Sequence, residues 1–423
     1  MNFLNEVTHR YPEAISFAPG RPYDGFFDHA RITDHLHTYL DHLTAHGATP
    51  ADLRTALFQY GPTAGLIREV IADSLRADED VDVPARSLVV TVGAQEAMLL
   101  VLRALMRDPD DVLLVVTPCY VGITGAARLL DVPVVAVDER EDGLDCADLD
   151  AAVRRERARG RRPRACYLVP DHSNPSGTTL GPRARGELLD LAARHDLLII
   201  EDSPYRRVSP TAAQPTLKSL DRDRRVVHLG SYSKTLFPGA RVGFVVADQE
   251  VVDEQGRTGL LADELAKIKS MVTVNTASLS QAVVAGALLA AGGRLSEHAT
   301  ELADHYGEAM ATTLRCLDES LPAPRRTALG VRWNRPAGGF FLRVRVPFDA
   351  DETALARSAR EFGVIWTPMR YFHPQGGGER ALRLSVSHLT PAETKEGVAR
   401  LARFVETLAA ETEPESPAAG TDP

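Results

Sequence analysis

Seven short runs of Val, Leu and Ile, none with strict polar alternation, constrain this chain more than any other feature. They are SLVVTV (87–92), DVLLVVT (111–117), PVVAVD (133–138), ACYLVP (165–170), DLLIIED (196–202), RVVHLG (225–230) and RVGFVVA (241–247). A strand with one wet face alternates apolar and polar residues, whereas a strand buried on both faces does not. Between the runs lie stretches with apolar residues at helical spacing, AQEAMLLVLRALMRD and RARGELLDLAARHD among them. Strand alternating with helix predicts an α/β fold: a large domain with a mostly parallel, seven-stranded sheet flanked by helices.

A chain of 423 residues exceeds what one core organises. Residues 51–300 read as the large domain and 301–410 as a smaller α+β domain, with a disordered Pro- and acid-rich tail at 411–423. LSEHATELADHYGEAMATTLRCLDESL reads as one long helix able to bridge the two. A net charge of −10 gives no field for phosphate backbones, and RRERARGRRPR (154–164) reads as a solvated helix end, so no nucleic-acid partner is expected. The N-terminus lacks the pattern of a signal peptide and no apolar run is long enough for a bilayer, which predicts a cytoplasmic protein without a membrane partner. Four dispersed cysteines without CxxC spacing predict isolated thiols and no metal site.

In such a sheet, ligands bind outside the carboxyl ends of the strands. Gly93, Ala94 and Gln95 follow SLVVTV as a turn opening a helix, whose free N–H groups can hold an anion, although any tight turn favours glycine. Tyr120 follows VVTP and offers packing or a flat surface for an aromatic ligand. Asn174 lies in DHSNPSG, a loop that Asn, Pro and Gly build on their own. Asp202 ends DLLIIED, where a carboxylate is costly unless it meets a cation or caps a helix, and Tyr205 follows. Lys234 sits in the turn after RVVHLG; in a partly dry pocket its amine becomes a nucleophile toward aldehydes, while a lone lysine in a turn is ordinarily solvated. Ser231, Ser233 and Arg241 around it suit a phosphate dianion. Their coincidence at successive strand ends favours one ligand site over unrelated turns.

The ordered stretches YGPTAG (60–65), GAQEA (93–97), TPCY (117–120), YLVPDHSNPSG (167–177), EDSPY (201–205), SYSKTLFPGARVGF (231–244), PAGGFF (336–341) and LRLSVS (382–387) span most of the chain. Their sequence resembles the fold type I pyridoxal-phosphate enzymes, the class I/II aminotransferases. The resemblance implies pyridoxal 5′-phosphate as cofactor, an amino acid and a 2-oxo acid as substrates, and a homodimer with shared sites. Its implied catalytic groups are Lys234, which carries the cofactor and moves the proton at the substrate Cα, Asp202, which pairs with the ring nitrogen, and Tyr205. Asn174 and Tyr205 would hydrogen-bond the phenolic oxygen, and Tyr120 would stack on the ring. The phosphate would fall to Gly93, Ala94, Gln95, Ser231, Ser233 and Arg241, with Tyr60 arriving from the neighbouring subunit. Arg383 would clamp the substrate carboxylate, and Asn174 would also bind the substrate. Residues 1–50 would join the small domain and fold the turn at Gly20 over the substrate side chain.

Three departures bear on the substrate. Ala94 stands where a hydroxyl often meets the phosphate, Ser173 replaces a common glutamine, and TPMRYF (367–372) puts Met369 and Arg370 near the expected substrate entrance. Arg21, Tyr23, Phe26 and Phe27 in SFAPGRPYDGFF suit an aryl side chain, though the two phenylalanines serve equally as packing. FAPGRPYDGFFD, LFQYGPTAG and PDHSNPSG resemble the branch of the family that forms dihydroxyphenylglycine from an arylglyoxylate in glycopeptide-antibiotic pathways. Rival readings are another aromatic, 2-aminoadipate- or kynurenine-type aminotransferase, or a lyase, cyclase or oxidase of the same fold. A regulator domain is a further rival; the early start of the pattern and the acidic charge count against it.

Overall fold

The computed structural model describes residues 2–411 apart from 142, 211–212 and 253–254. Of the tail expected at 411–423, Glu411 closes a helix and pairs with Arg357, and the remainder lies outside the described residues. The chain starts with the helix Asn2–Arg10 and a two-residue strand, β1 (Ile15–Ser16). All seven apolar runs then form strands of one sheet: β2 (Leu88–Thr91), β3 (Asp111–Thr117), β4 (Val134–Arg140), β6 (Arg162–Leu168), β7 (Leu198–Asp202), β8 (Val226–Ser231) and β9 (Gly243–Val246). An eighth, β5 (Gly143–Leu144), completes the order β2-β9-β8-β7-β6-β3-β4-β5. Every residue of β2, β3 and β9 is buried, as unalternating Val/Leu runs require.

Strands β4, β3, β6, β7 and β8 run parallel, whereas β9 is antiparallel to both neighbours. The cause is the length of the link. Parallel strands need a crossover of a dozen or more residues, usually a helix, and only residues 232–242 separate β8 from β9. The loop therefore leaves and re-enters the sheet at one edge, placing Lys234 and Arg241 at the same end.

Helices Gly93–Leu105 and Pro182–Arg194 fall where the spacing predicts them, and Ser278–Ala290 is a further helix. The expected single long helix is two, Leu295–His298 and Thr300–Ser320, because Ala299 between them has ψ 2° and its N–H is shared between Leu295 O and Ser296 O. The longer one does bridge: Leu302 and Tyr306 pack in the core of the large sheet, and Met310, Cys316 and Leu317 in a second core. After a hairpin, β10 (Glu250–Val252) with β11 (Thr258–Leu260), this second core lies on a smaller β-rich domain. Its strands are β12 (Arg332–Trp333), β13 (Phe341–Arg345), β14 (Val364–Ile365), β15 (Thr367–Pro368) and β16 (Ala381–Ser385). Strand β1 pairs with β14, and Phe17 continues the stitching, its N–H bonding Ile365 O at 2.8 Å and its carbonyl accepting from Ser385 N–H at 2.7 Å. The N-terminal strap is thereby fixed to the small sheet just ahead of Ala18–Gly20.

The arginine-rich stretch forms the end of helix Cys146–Ala158 and the start of β6, where buried Glu156 gathers Arg155, Arg159 and Arg161. All four cysteines are free thiols. Among the described residues no helix is long and apolar enough to cross a membrane.

The helix that opens at Gly93 is anchored by a buried ion pair. Glu96 accepts from Val92 N–H at 2.7 Å, Thr273 Oγ1 at 2.6 Å and Lys269 Nζ at 2.7 Å. Lys269→Ala leaves that carboxylate buried without its cation and should cost roughly 3–5 kcal/mol, measured by chemical denaturation.

Candidate active site

The carboxyl ends of the strands meet the small domain at a cavity of about 310 Å³. Asp202, the last residue of β7, is 2% exposed, and its Oδ2 accepts a hydrogen bond from the Tyr167 hydroxyl of β6 at 2.7 Å. Its other oxygen, Oδ1, is buried with no partner. Burial lifts this carboxyl to about 6, against the opposing pull of the Tyr167 hydrogen bond.

Lys234 lies in the β8–β9 loop. Tyr232 N–H reaches Val242 O at 3.2 Å and Leu236 N–H reaches Tyr232 O at 2.9 Å, so the turn is closed on itself. The Lys234 Nζ donates to Gly20 O at 2.7 Å, and burial, helped by the positive charges of Arg241 and Arg383, brings its amine down to about 8. Gly20 has no room for a side chain, since a Cβ would stand 2.6 Å from the Phe341 ring.

The anion end is built from three turns. Ser231 Oγ accepts from Ser233 N–H at 3.2 Å, and Arg241 donates to Ser233 Oγ at 3.4 Å. Arg241 itself has φ +50°, an uncommon conformation for a residue with a Cβ, held in the short return loop. Gly93 has φ +69°, a conformation that residues with a Cβ rarely adopt, and a Cβ there would fall 2.4 Å from Arg241 Nη2 and displace the guanidinium. Ala94, Gln95, Ser231, Ser233 and Arg241 all line the cavity. The Ala94 methyl leaves backbone N–H groups and Gln95 to supply what a hydroxyl would give. Gln95 is oriented by its own bond to Gly122 O at 3.1 Å.

Tyr120 stands half-buried over the cavity, its hydroxyl 3.4 Å from Gln95 Oε1. Across from it the DHSNPSG loop presents Asn174, held by Ser173 N–H to Thr178 O and by fully buried Arg185, which pairs with Asp171. Asn174 Nδ2 donates to the Tyr205 hydroxyl at 3.4 Å, and its Oδ1 accepts from Arg383 Nη1 at 2.7 Å. Tyr205 is buried edge-on to Phe340 and Phe341, which raises its phenol well above the usual range.

Arg383, on β16, is 6% exposed and sandwiched between Phe341 and Phe372, with guanidinium-to-ring distances of 4.5 and 5.1 Å. It donates to Ala18 O and to Thr367 Oγ1, and its Nε is buried without a partner. Burial lowers it to about 10, so it stays cationic at neutral pH.

These groups fit pyridoxal phosphate on structural grounds. Orphaned Asp202 Oδ1 matches a protonated ring nitrogen, the lowered Lys234 amine matches an aldehyde, and the Gly93–Arg241 corner matches a dianion. Other predicted residues are not brought to the cavity. The Tyr60 side chain is 85% exposed on the surface of the single chain. Arg21 is exposed and pairs with Asp24 at 3.4 Å. Tyr23 stacks on His305 at 4.6 Å, with Phe26 edge-on to the same ring. Met369 is fully buried against Phe372 and Ala381, and Arg370 pairs with Glu352 at 3.3 Å. TPMRYF instead delivers Tyr371 and Phe372 to the cavity wall, and Tyr167 and Thr8 are further contributors that strand-end reasoning does not reach.

The sequence pattern "Aminotransferase class I and II" matches residues 37–401. An (S)-3,5-dihydroxyphenylglycine transaminase of Amycolatopsis orientalis is 47% identical over 408 residues, 96% of this chain and 91% of its own. The crystal structure of a multiple substrate aminotransferase from Thermococcus profundus superposes with a TM-score of 0.82 at 26% identity, covering 97% of this chain and 95% of that one. An α-aminoadipate aminotransferase from Thermus thermophilus, complexed with N-(5′-phosphopyridoxyl)-L-leucine, gives 0.79 at 29% identity and 96% coverage of both.

Uptake of pyridoxal phosphate by cofactor-free protein should follow the neutral fraction of Lys234. The rate, followed by absorbance, is expected to climb with pH and level off above about 8; a rate flat from pH 6 to 9 would contradict this environment for the amine.

Proposed function

This chain belongs to the class I and II aminotransferases, and on that footing we propose that it transfers an amino group to an arylglyoxylate, forming an arylglycine of the 3,5-dihydroxyphenylglycine type. The coarser activity is that of a pyridoxal-phosphate-dependent aminotransferase acting on an amino acid and a 2-oxo acid. The observation that carries the finer reading is the wall beside Arg383, where Tyr371, Phe372 and Val121 give flat apolar surface. Among the described residues that line the cavity the cations are Lys234, Arg241 and Arg383, and the aldehyde, the phosphate and the α-carboxylate engage all of them. None is left to hold a side-chain carboxylate. The likeness to the Amycolatopsis enzyme supports the same reading.

When bound, pyridoxal phosphate supplies an aldehyde for the amino group and a ring that accepts electrons. The chain's own residues do the rest. Arg383 binds the substrate carboxylate through guanidinium N–H groups, Nε among them, while Asn174 fixes the plane of the guanidinium. Lys234, once its amine is free, takes the proton at the substrate Cα. Asp202 would pair with the protonated ring nitrogen, and Asn174 and Tyr205 would donate hydrogen bonds to the phenolic oxygen. Pro19 and Gly20 of the strap line the cavity and would limit the access of water to the reacting atoms.

The working unit we propose is a homodimer in the cytoplasm. Exposed apolar residues are Ile32 on helix His29–Ala45, Phe58 at the end of helix Pro50–Phe58 with Tyr60 just beyond it, Met271 and Val272 at the end of helix Leu261–Val272, Val274 in the link that follows, and Leu279 on Ser278–Ala290, which packs on the first two helices. Tyr60 on that face would serve the partner's phosphate. Light scattering should give the mass of two chains, and Tyr60→Phe should weaken cofactor binding severalfold to about tenfold.

The activity test is a donor and acceptor screen of holoenzyme. With tyrosine or 4-hydroxyphenylglycine as donor, 3,5-dihydroxyphenylglyoxylate should be turned over with a kcat/KM at least about tenfold above that for 2-oxoglutarate. Turnover confined to 2-oxoglutarate and aliphatic donors would refute the aryl assignment. Arg383→Lys should lower kcat/KM by roughly 1.5–3 kcal/mol for every amino acid, through the lost charge-assisted contacts.

A further inference from the structure

Tyr167 was not among the residues that strand ends point to, because it lies inside β6 rather than after it. It is 1% exposed in the main core and stands opposite Ile200 of β7, two residues from Asp202. Among the described residues its hydroxyl is the one hydrogen-bond donor that reaches the Asp202 carboxylate. A buried tyrosine commonly finds some partner for its hydroxyl. Here the partner is the carboxylate facing the ring nitrogen, and the bond occupies one oxygen while leaving the other free.

We infer that Tyr167 is a positioning residue for the cofactor: its hydrogen bond fixes the Asp202 side chain so that Oδ1 alone remains to meet the ring nitrogen. This role rests on pyridoxal phosphate occupying the cavity. Two physical effects follow from the bond. A carboxylate pinned through one oxygen has lost its rotational freedom before the cofactor arrives, so none is lost on binding. A donor to the ionised form also favours that form. Burial raises Asp202 to about 6, and Tyr167 is the largest influence acting the other way. His228 on β8 also lowers it, while Glu201 on the same strand raises it; the Tyr120 and Tyr205 phenols also face Asp202. Glu201 and His228 are themselves tied together at 2.9 Å, and they act on Asp202 in opposite directions. Without the phenol the carboxyl pKa rises further toward neutrality, the empty site takes up a proton, and the anion that should hold the ring nitrogen is lost.

The test compares Tyr167→Phe, which keeps the ring in the core, with wild type and with Asp202→Asn. In cofactor-free protein, infrared titration of the protonated carboxyl band that disappears in Asp202→Asn should show that band persisting to higher pH in Tyr167→Phe. The dissociation constant for pyridoxal phosphate should rise about tenfold at pH 7, and more at lower pH, in Tyr167→Phe. In the Asp202→Asn background the same change should have almost no effect. Thermal unfolding reports separately on packing. A carboxyl titration and an affinity equal to wild type, or an equal loss of affinity with and without Asp202, would overturn the positioning role. A wild type that takes up no pyridoxal phosphate would overturn the reading of the site itself, while the infrared comparison would still report whether Tyr167 and Asp202 are coupled.

Discussion

A carboxylate buried at the end of a central strand with one oxygen tied and the other unpartnered is the constraint on which the site depends. Burying a polar group without a partner costs free energy, and an ionised one costs more. Asp202 is held in that state by β6 and β7, which lie side by side in the middle of the sheet and bring Tyr167 against it. A cationic ring nitrogen relieves the cost, so affinity for the cofactor is stored in the fold before anything binds. The neighbouring lysine obeys the opposite rule: desolvation destabilises its charge and frees the amine for an aldehyde. One low-dielectric cavity thus sets an acid and a base in complementary states.

The rest of the architecture places substrate groups around that pair. Because β9 must return antiparallel, Arg241 comes back beside Lys234, and Gly93 leaves the space its guanidinium fills. The small sheet contributes Arg383 from the opposite side, and the strap accepts from Arg383 through the Ala18 carbonyl and from Lys234 through the Gly20 carbonyl. Large sheet, small sheet and strap are therefore coupled through polar contacts that converge on one cavity.

The cofactor side of the site is legible in the sequence because each group stands at or beside the end of an apolar run, and strand ends are what such runs locate. Asn174, Tyr205 and Lys234 follow a run by a few residues, Asp202 closes one and Arg241 opens one. The substrate side is less legible. In TPMRYF the first two residues form β15 and the rest the single 3₁₀ turn Met369–Phe372, with three residues per turn, so Met369 and Phe372 share the inward face and Arg370 swings out to Glu352. No periodicity shows in so short a stretch. Tyr23 is drawn away by His305, a contact spanning well over half the chain, and Tyr167 acts from within a strand. The break at Ala299 is likewise invisible, since alanine is the strongest helix former and marks no boundary.

The most direct test of this account is the protonation state of the bound ring nitrogen. Nitrogen NMR of the holoenzyme loaded with ring-¹⁵N pyridoxal phosphate should show a protonated nitrogen from neutral pH to well above the range in which the free cofactor loses that proton, and Asp202→Asn should abolish it. An unprotonated nitrogen at neutral pH in the wild type would contradict the claim that the free oxygen of Asp202 organises the site.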